Sequence, residues 1–329
     1  MKAARLALVL ALPLIACKGS TGSGAPAPIV LTPPAIDAAA GAEVINQCQS
    51  VTLNNDSPLW VNTVEMSAGP AWHHSNWFFV PDSKYAGADG TWSCASRGFD
   101  PVEAAAAGGV LFAQSTQSTS DTQAFPAGAA MRIPAHARIV GDIHLVNASA
   151  SAVHTAITLT LDPIPESAVT AKLHALSMIY QDLSIPPNAR SRFTGNCNTP
   201  TGYPLDFKIY YVLPHYHKFG ARLTLEANGP KGNQPLFSGN APIGEAWGRT
   251  IDPPIDVNGQ TNLTFACEYD NTTDTPIHWG NAGGEMCVLL AYTDSQRPWV
   301  GAVFDGSAVV GTDGSGVVLN EGPCTLGNL

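Results

Sequence analysis

Two histidines one residue apart, His215 and His217, lie in the stretch Tyr210-Tyr-Val-Leu-Pro-His-Tyr-His-Lys-Phe-Gly220, which is rich in β-formers. Residues two apart in a strand share a face, so this spacing predicts two imidazoles side by side, as a metal ion requires. A second pair, His73-His74, sits in Gly69-Pro-Ala-Trp-His-His-Ser-Asn-Trp-Phe-Phe. Adjacent strand residues point to opposite faces, so both can serve one metal only at a bend or bulge. Without one, the pair is a buried and an exposed histidine. His144, in Gly141-Asp-Ile-His-Leu-Val-Asn, lies on a strand-like run and can face the same way; alone it reads as a satisfied core histidine. Met286 follows Gly283-Gly-Glu. A lone methionine on an apolar strand is core, but two imidazoles plus a thioether form a soft donor set that favours copper, above all Cu(I).

The elements that would carry these residues are short strands. Ser50-Val-Thr-Leu, Ala137 to Val146, His154 to Leu161, Asp206 to Leu213, Ala221 to Glu226, Asn262 to Tyr269 and Met286 to Tyr292 are apolar or Thr/Val-rich, and several alternate at period two. Gly and Pro punctuate the intervals. The pattern predicts an all-β chain of two tandem antiparallel, jelly-roll-like β-sandwiches. The one helix-like run is alanine-rich, Pro101 to Val110, broken by Gly108-Gly109. Asp162-Pro-Ile-Pro-Glu-Ser marks a boundary. The expected division is 1–17 signal peptide, 18–44 flexible tether, 45–165 first sandwich and 166–329 second sandwich. No strong internal sequence repeat is visible.

Lys2 and Arg5 precede the apolar run Leu6 to Ile15, too short to span a bilayer, which leads into Leu14-Ile-Ala-Cys17. This resembles a bacterial lipobox and implies lipidation of Cys17, with Lys18 following it. The expectation is an exported chain, lipid-anchored at the outer membrane or cell surface. Gly19 to Ala40 is mostly Gly, Pro, Ala, Ser and Thr, a composition that reads as a tether. A net charge of −10 argues against nucleic-acid partners. The remaining six cysteines, Cys48, Cys94, Cys197, Cys267, Cys287 and Cys324, predict three disulfides, with fifteen pairings open.

His-His, a lone His about seventy residues on, His-x-His-x-x-Gly and then Glu-Met-Cys resemble, in order and spacing, the type II copper, ascorbate-dependent monooxygenases. That family includes peptidylglycine α-hydroxylating and dopamine β-monooxygenases. The resemblance runs from about Cys48 to Cys324 and includes Ile185-Pro-Pro-Asn, close to the family's Ile-Pro-Pro-Gly. It implies two copper ions per chain, one at His73, His74 and His144 and one at His215, His217 and Met286. The latter three residues are then catalytic. The two centres would face one another across a solvent-filled cleft. Dioxygen and a one-electron reductant such as ascorbate would be co-substrates in hydroxylation of a C–H bond. The pairing implied is Cys48–Cys94, Cys197–Cys324 and Cys267–Cys287, the last stapling the strand that bears Met286.

The sequence also departs from that family. Its peptide hydroxylase holds a substrate carboxylate with an arginine, an asparagine and a tyrosine at places occupied here by Leu213, Val288 and Leu290, and has glutamine where Asp142 stands. A peptidylglycine substrate is therefore not expected. Leu213, Val288 and Leu290 are candidates for an apolar pocket, or are core, and the substrate, small-molecule or peptide-like, is open. Two other readings compete: a copper-binding lipoprotein of copper handling or electron transfer, and a structural adhesin. His136, His154, His174 and His278 carry no expected role, and the sequons at Asn147 and Asn271 mean little in a bacterial lipoprotein.

Overall fold

The computed structural model describes residues 26–328 apart from 115–117, 241–244 and 281–282; the proposed signal peptide and Cys17 fall outside them. The described residues are almost wholly in strands and the loops between them, with one α-helix among them, Pro101–Ala107. That helix is set by Asp100, whose carboxylate accepts the Glu103 N–H at 2.8 Å, and it stops at Gly108. A Cβ on Gly108 would lie 1.8 Å from the Phe79 carbonyl oxygen, so only glycine fits where the helix turns onto the sheet.

A five-stranded antiparallel sheet in the first half runs in the order Gly90–Ser93, Glu43–Thr52, Ala137–Val146, Trp72–Pro81, Gly109–Ala113. Its apolar side faces the strands Leu59–Ala68, Ala129–Ile133 and Ile157–Pro163. In the second half, Ala171–Tyr180, Val288–Thr293, Lys208–His215 and Arg249–Asp256 form one layer. Ala189–Asn198, Asn262–Asn271, Gly220–Asn228 and Val318–Asn328 form the other. The predicted all-β sandwich architecture is therefore observed. All three expected disulfides, Cys48–Cys94, Cys197–Cys324 and Cys267–Cys287, are formed, which suits an exported protein.

The expected tether 18–44 does not hold over its second half. Ile29–Leu31 pairs with Ile157–Pro163, and Ile36–Ala38 pairs with Val153–Thr155. Leu31, Ile36 and Ala38 are buried in the first core. A few aliphatic residues at period two were enough to close the sandwich edge, although the Gly/Pro/Ala composition around them could not build a core alone.

The two halves end corresponding strands with the same turn. Asn147 Oδ1 accepts from the Ser149 N–H and hydroxyl, while its Nδ2 donates to the Ser151 carbonyl. Asn271 does the same with Thr273 and Thr275. Each Nδ2 also donates to an earlier segment, Ala38 in one half and Pro186 in the other. Both asparagines are buried, so these sequons are structural turns.

The halves are joined in two ways. Ala129–Ile133 pairs in parallel with the start of Ala171–Tyr180, which carries β-pairing across the proposed boundary. Beside this lies an apolar seam. Tyr211, Leu213, Leu290 and Tyr292 belong to the first half's buried cluster, whereas Val212, Leu289 and Ala291, alternating with them, belong to the second's. Phe125 packs on both tyrosines, with ring centroids 5.8 Å from Tyr211 and 4.9 Å from Tyr292. The Tyr292 hydroxyl donates to the Val110 carbonyl at 3.1 Å.

Asp121 lies near this seam, buried, with Oδ2 lacking a hydrogen-bond partner among the described residues. Burial pushes its carboxyl up to about 6, against one backbone hydrogen bond from Thr122. The unfolded carboxyl ionises from about pH 4, so the folded state loses stability as pH rises from there through about 6. Asp121→Asn is expected to raise unfolding free energy by about 1–2 kcal/mol at neutral pH, a gain that vanishes near pH 3. Denaturant titrations of both proteins across that range check it.

Candidate metal centre

The Trp72–Pro81 strand presents both His73 and His74 to one place because its pairing is broken there. His144 lies opposite His74, but Leu145 lies opposite Trp72, so His73 is the extra residue of a bulge. This supplies the bend that adjacent histidines need to share a site. The other neighbour of the His144 strand is also bulged: Ile143 pairs with Gln47 and Leu145 with Val44, leaving Ile45 and Asn46 against His144 alone. Asn46 and Ala71 take left-handed backbone, φ 59° and 67°. Three residues before His144, Gly141 makes room for Trp77, whose ring atoms lie 2.6 Å from where a Cβ would stand. The potential ligand atoms of His73, His74 and His144 lie within 4.8 Å of one another.

His215 and His217 meet this group from the second half. The Lys208–His215 strand ends at His215, and His217 lies in the turn that leads to Gly220, not on the same strand as the spacing predicted. Pro214 and the tight return at Gly220, which abuts the Tyr216 ring, bring pairing to an end. The two rings are nonetheless 5.1 Å apart. His74 lies 5.5 Å from His215 and 6.1 Å from His217, and His73 lies 6.3 Å from His217. The five imidazoles thus form one contiguous cluster. The solvent-filled separation implied by the resemblance is absent at this point, because the apolar seam draws the halves together beside it.

Met286 stands before, not within, the strand expected to bear it, which spans Val288–Thr293. Its segment is fixed from several sides. Cys287 is tied to Cys267, and the Tyr269 hydroxyl donates to the Met286 carbonyl at 2.7 Å. Glu285, fully buried, accepts the His217 N–H at 2.8 Å on one oxygen and the Phe219 N–H at 2.6 Å on the other. The His217 Nδ1–H donates to the Gly284 carbonyl at 3.0 Å. The Gly284–Cys287 segment therefore grips the histidine turn. Glu285 had no role assigned from sequence, although it adjoins Met286.

Two imidazole nitrogens are buried without a hydrogen-bond partner among the described residues: His144 Nδ1 and His217 Nε2. A carbonyl only accepts, so His217 carries its proton on Nδ1 and its lone pair on Nε2. His144 is bonded through Nε2 to Glu43 Oε1 at 2.7 Å. Burial, followed by the neighbouring imidazoles His215, His144, His73 and His217, holds His74 well below the ordinary histidine range. Burial likewise lowers His217. Neutral rings with inward lone pairs are the state that metal ligation requires, and the donor set fits a soft or borderline metal.

The pocket candidates sit on the face that carries His215. Val288 is opposite His215 and Leu290 opposite Leu213. Val288 is half-buried, while Leu213 and Leu290 are buried against the first half. Of the remaining histidines, His154 pairs with Asp37 at the surface. His174 bonds the Ser295 carbonyl and His278 the Leu183 carbonyl. Asp142 joins Cys48 and Cys94 in a cluster, but those sulfurs are spent in a disulfide.

No family model and no curated protein matches the chain. Among solved structures, the major capsid protein P2 of bacteriophage PM2 aligns with 81% of this chain and 97% of its own, at 10% identity and TM-score 0.31. The N-glycanase PNGase F aligns with 82% of this chain and 96% of its own, at 8% identity and TM-score 0.32. A putative secreted protein of Parabacteroides distasonis aligns at 8% identity and TM-score 0.20, covering 82% of this chain and 89% of its own. Likeness at this level bears on neither family nor activity.

If Glu285 holds the turn, Glu285→Gln leaves an amide facing one of two buried N–H donors. The expected cost is roughly 1–3 kcal/mol of stability. Metal uptake at His215 and His217 should fall while uptake at His73, His74 and His144 persists. Chemical denaturation and a bound-metal count per chain check both parts.

Proposed function

We propose that this chain is a copper-dependent monooxygenase that hydroxylates a C–H bond, exported and held at the bacterial envelope by a lipid on Cys17. The observation that carries the metal assignment is a cluster of five imidazoles in which two buried nitrogens, His144 Nδ1 and His217 Nε2, have no hydrogen-bond partner among the described residues. His73, His74 and His144 would hold one copper ion; His215, His217 and Met286 would hold the other. Bound copper would supply one-electron chemistry and dioxygen activation, with ascorbate or a similar reductant as co-substrate.

The chain's own residues supply position and exclusion. The bulge aims three imidazoles at one point, and the Gly284–Cys287 segment fixes His217 and Met286 relative to one another. Leu213 and Leu290 are closed into the seam, so of the three pocket candidates only the half-buried Val288, opposite His215, borders the site. The arginine, asparagine and tyrosine that hold a carboxylate in the resembled peptide hydroxylase are replaced here by apolar residues, so a substrate carboxylate would lack those partners, at a cost of several kcal/mol. The substrate class that fits is thus one without a carboxylate near the reacting carbon.

The contact between the two histidine groups favours a second reading, copper binding without turnover. Both readings expect two copper ions per purified chain, one lost in His144→Ala and the other in His217→Ala, with Met286→Ile weakening Cu(I) at the second site. Metal analysis checks this, and a chain that takes up no copper ends both readings. Oxygen uptake with ascorbate, measured over a panel of uncharged and charged substrates, separates them. Substrate-dependent uptake supports the monooxygenase, and its absence from the two-copper protein leaves the binding role.

A further inference from the structure

We infer that Glu43 is a positioning residue for the three-histidine site: its carboxylate takes the Nε2–H of His144 and so commits Nδ1 to the metal. This rests on the proposed metal site and adds a residue that no sequence pattern indicated.

Glu43 Oε1 lies 2.7 Å from His144 Nε2, a charge-assisted hydrogen bond by distance. An ionised carboxylate has no proton to give, so the imidazole must donate. The neutral ring then has its lone pair on Nδ1, which is buried without a partner among the described residues, in a ring 4.6 Å from that of His73 and 4.8 Å from that of His74. Were the ring instead protonated on Nδ1, a buried N–H would stand unsatisfied and Nε2 would face a carboxylate lone pair across the same distance. Both contacts would be unfavourable.

The backbone is arranged for this bond. Glu43 lies opposite Val146, two residues beyond His144, so the register alone puts its side chain on the face that carries the His144 ring. The Ile45–Asn46 bulge, with its left-handed Asn46, leaves two residues against His144, and regular pairing resumes at Val44 and Glu43. The Glu43 side chain is only partly covered, 35% exposed, whereas the His144 side chain is 7% exposed. The carboxylate thus keeps some hydration while it orients a buried ligand. A ligating histidine whose other nitrogen is held by a carboxylate is both fixed in orientation and a stronger donor.

The test uses the full chain. In the metal-free wild type, the ¹⁵N chemical shifts of the His144 ring should show the Nε2–H tautomer, and in Glu43→Ala they should shift to a mixture. Glu43→Gln keeps an acceptor oxygen without the charge and should retain the tautomer. With Cu²⁺ and, separately, Zn²⁺ as probes, Glu43→Ala should bind 10- to 100-fold more weakly at the three-histidine site. Glu43→Gln should recover most of that loss, and neither variant should change affinity at His215 and His217. An Nδ1–H tautomer in the wild type overturns the inference without any variant. So does a Glu43→Ala protein with unchanged tautomer and unchanged affinity for both metals. A wild type that binds Zn²⁺ but not copper at the three histidines defeats the copper reading alone, and the Zn²⁺ affinities then decide the role of Glu43.

Discussion

Strand pairing around His144 is broken on both sides, and much of the proposed centre follows from those two breaks. On one side the irregularity lets adjacent residues of the Trp72–Pro81 strand converge on a single point. On the other, Ile45 and Asn46 together face His144, and Glu43, paired with Val146, lies on the face of the ring that it bonds. An unbroken ladder would send His73 and His74 to opposite faces. The flanking sheet makes the breaks tolerable: Ala137 to Ile143 pairs regularly on both edges, and the Cys48–Cys94 disulfide pins the neighbouring strand. Backbone cost is thus confined to a few residues, as is usual where a site is built into a sheet.

The second half reaches this point by packing. Tyr211, Leu213, Leu290 and Tyr292 leave their own core to join that of the first half. Burying such side chains contributes roughly 1.5–3 kcal/mol each, enough to keep two sandwiches in register at the histidines. The same face carries His215 one pair further along. The contact that unites the halves therefore abuts the proposed second centre directly, and a change in either affects the other.

Much of this could be read from residue order. Period-two alternation in Ala137–Val146 and Asn262–Asn271 gave the strands, and Gly/Pro spacing gave the sandwiches. His73, His74 and His144 lie together, and His73-His74 carried its own requirement for a bulge, whereas His215 and His217 lie against them and not across the implied cleft. Other features were out of reach for physical reasons. A strand's end depends on what pairs with it, so the spacing could not show that His217 lies past the end and Met286 before the start of theirs. Glu43 was assigned to a tether because composition reports a segment's ability to form a core, not its use as an edge strand on a core made elsewhere. Its partner is 101 residues away, and no local signal links them. Glu285 was visible beside Met286, but its task is to bind backbone, which side-chain patterns do not reveal.

The matched turns at Asn147 and Asn271 have a wider implication. The same set of hydrogen bonds closes each half, at the end of strands that pair with Cys48 in one case and Cys197 in the other. Each turn is followed by a short strand paired with an early segment of its own half. In each half one buried asparagine thus ties the end of a central strand to an earlier segment, so losing either side chain would release a strand end and an edge at once.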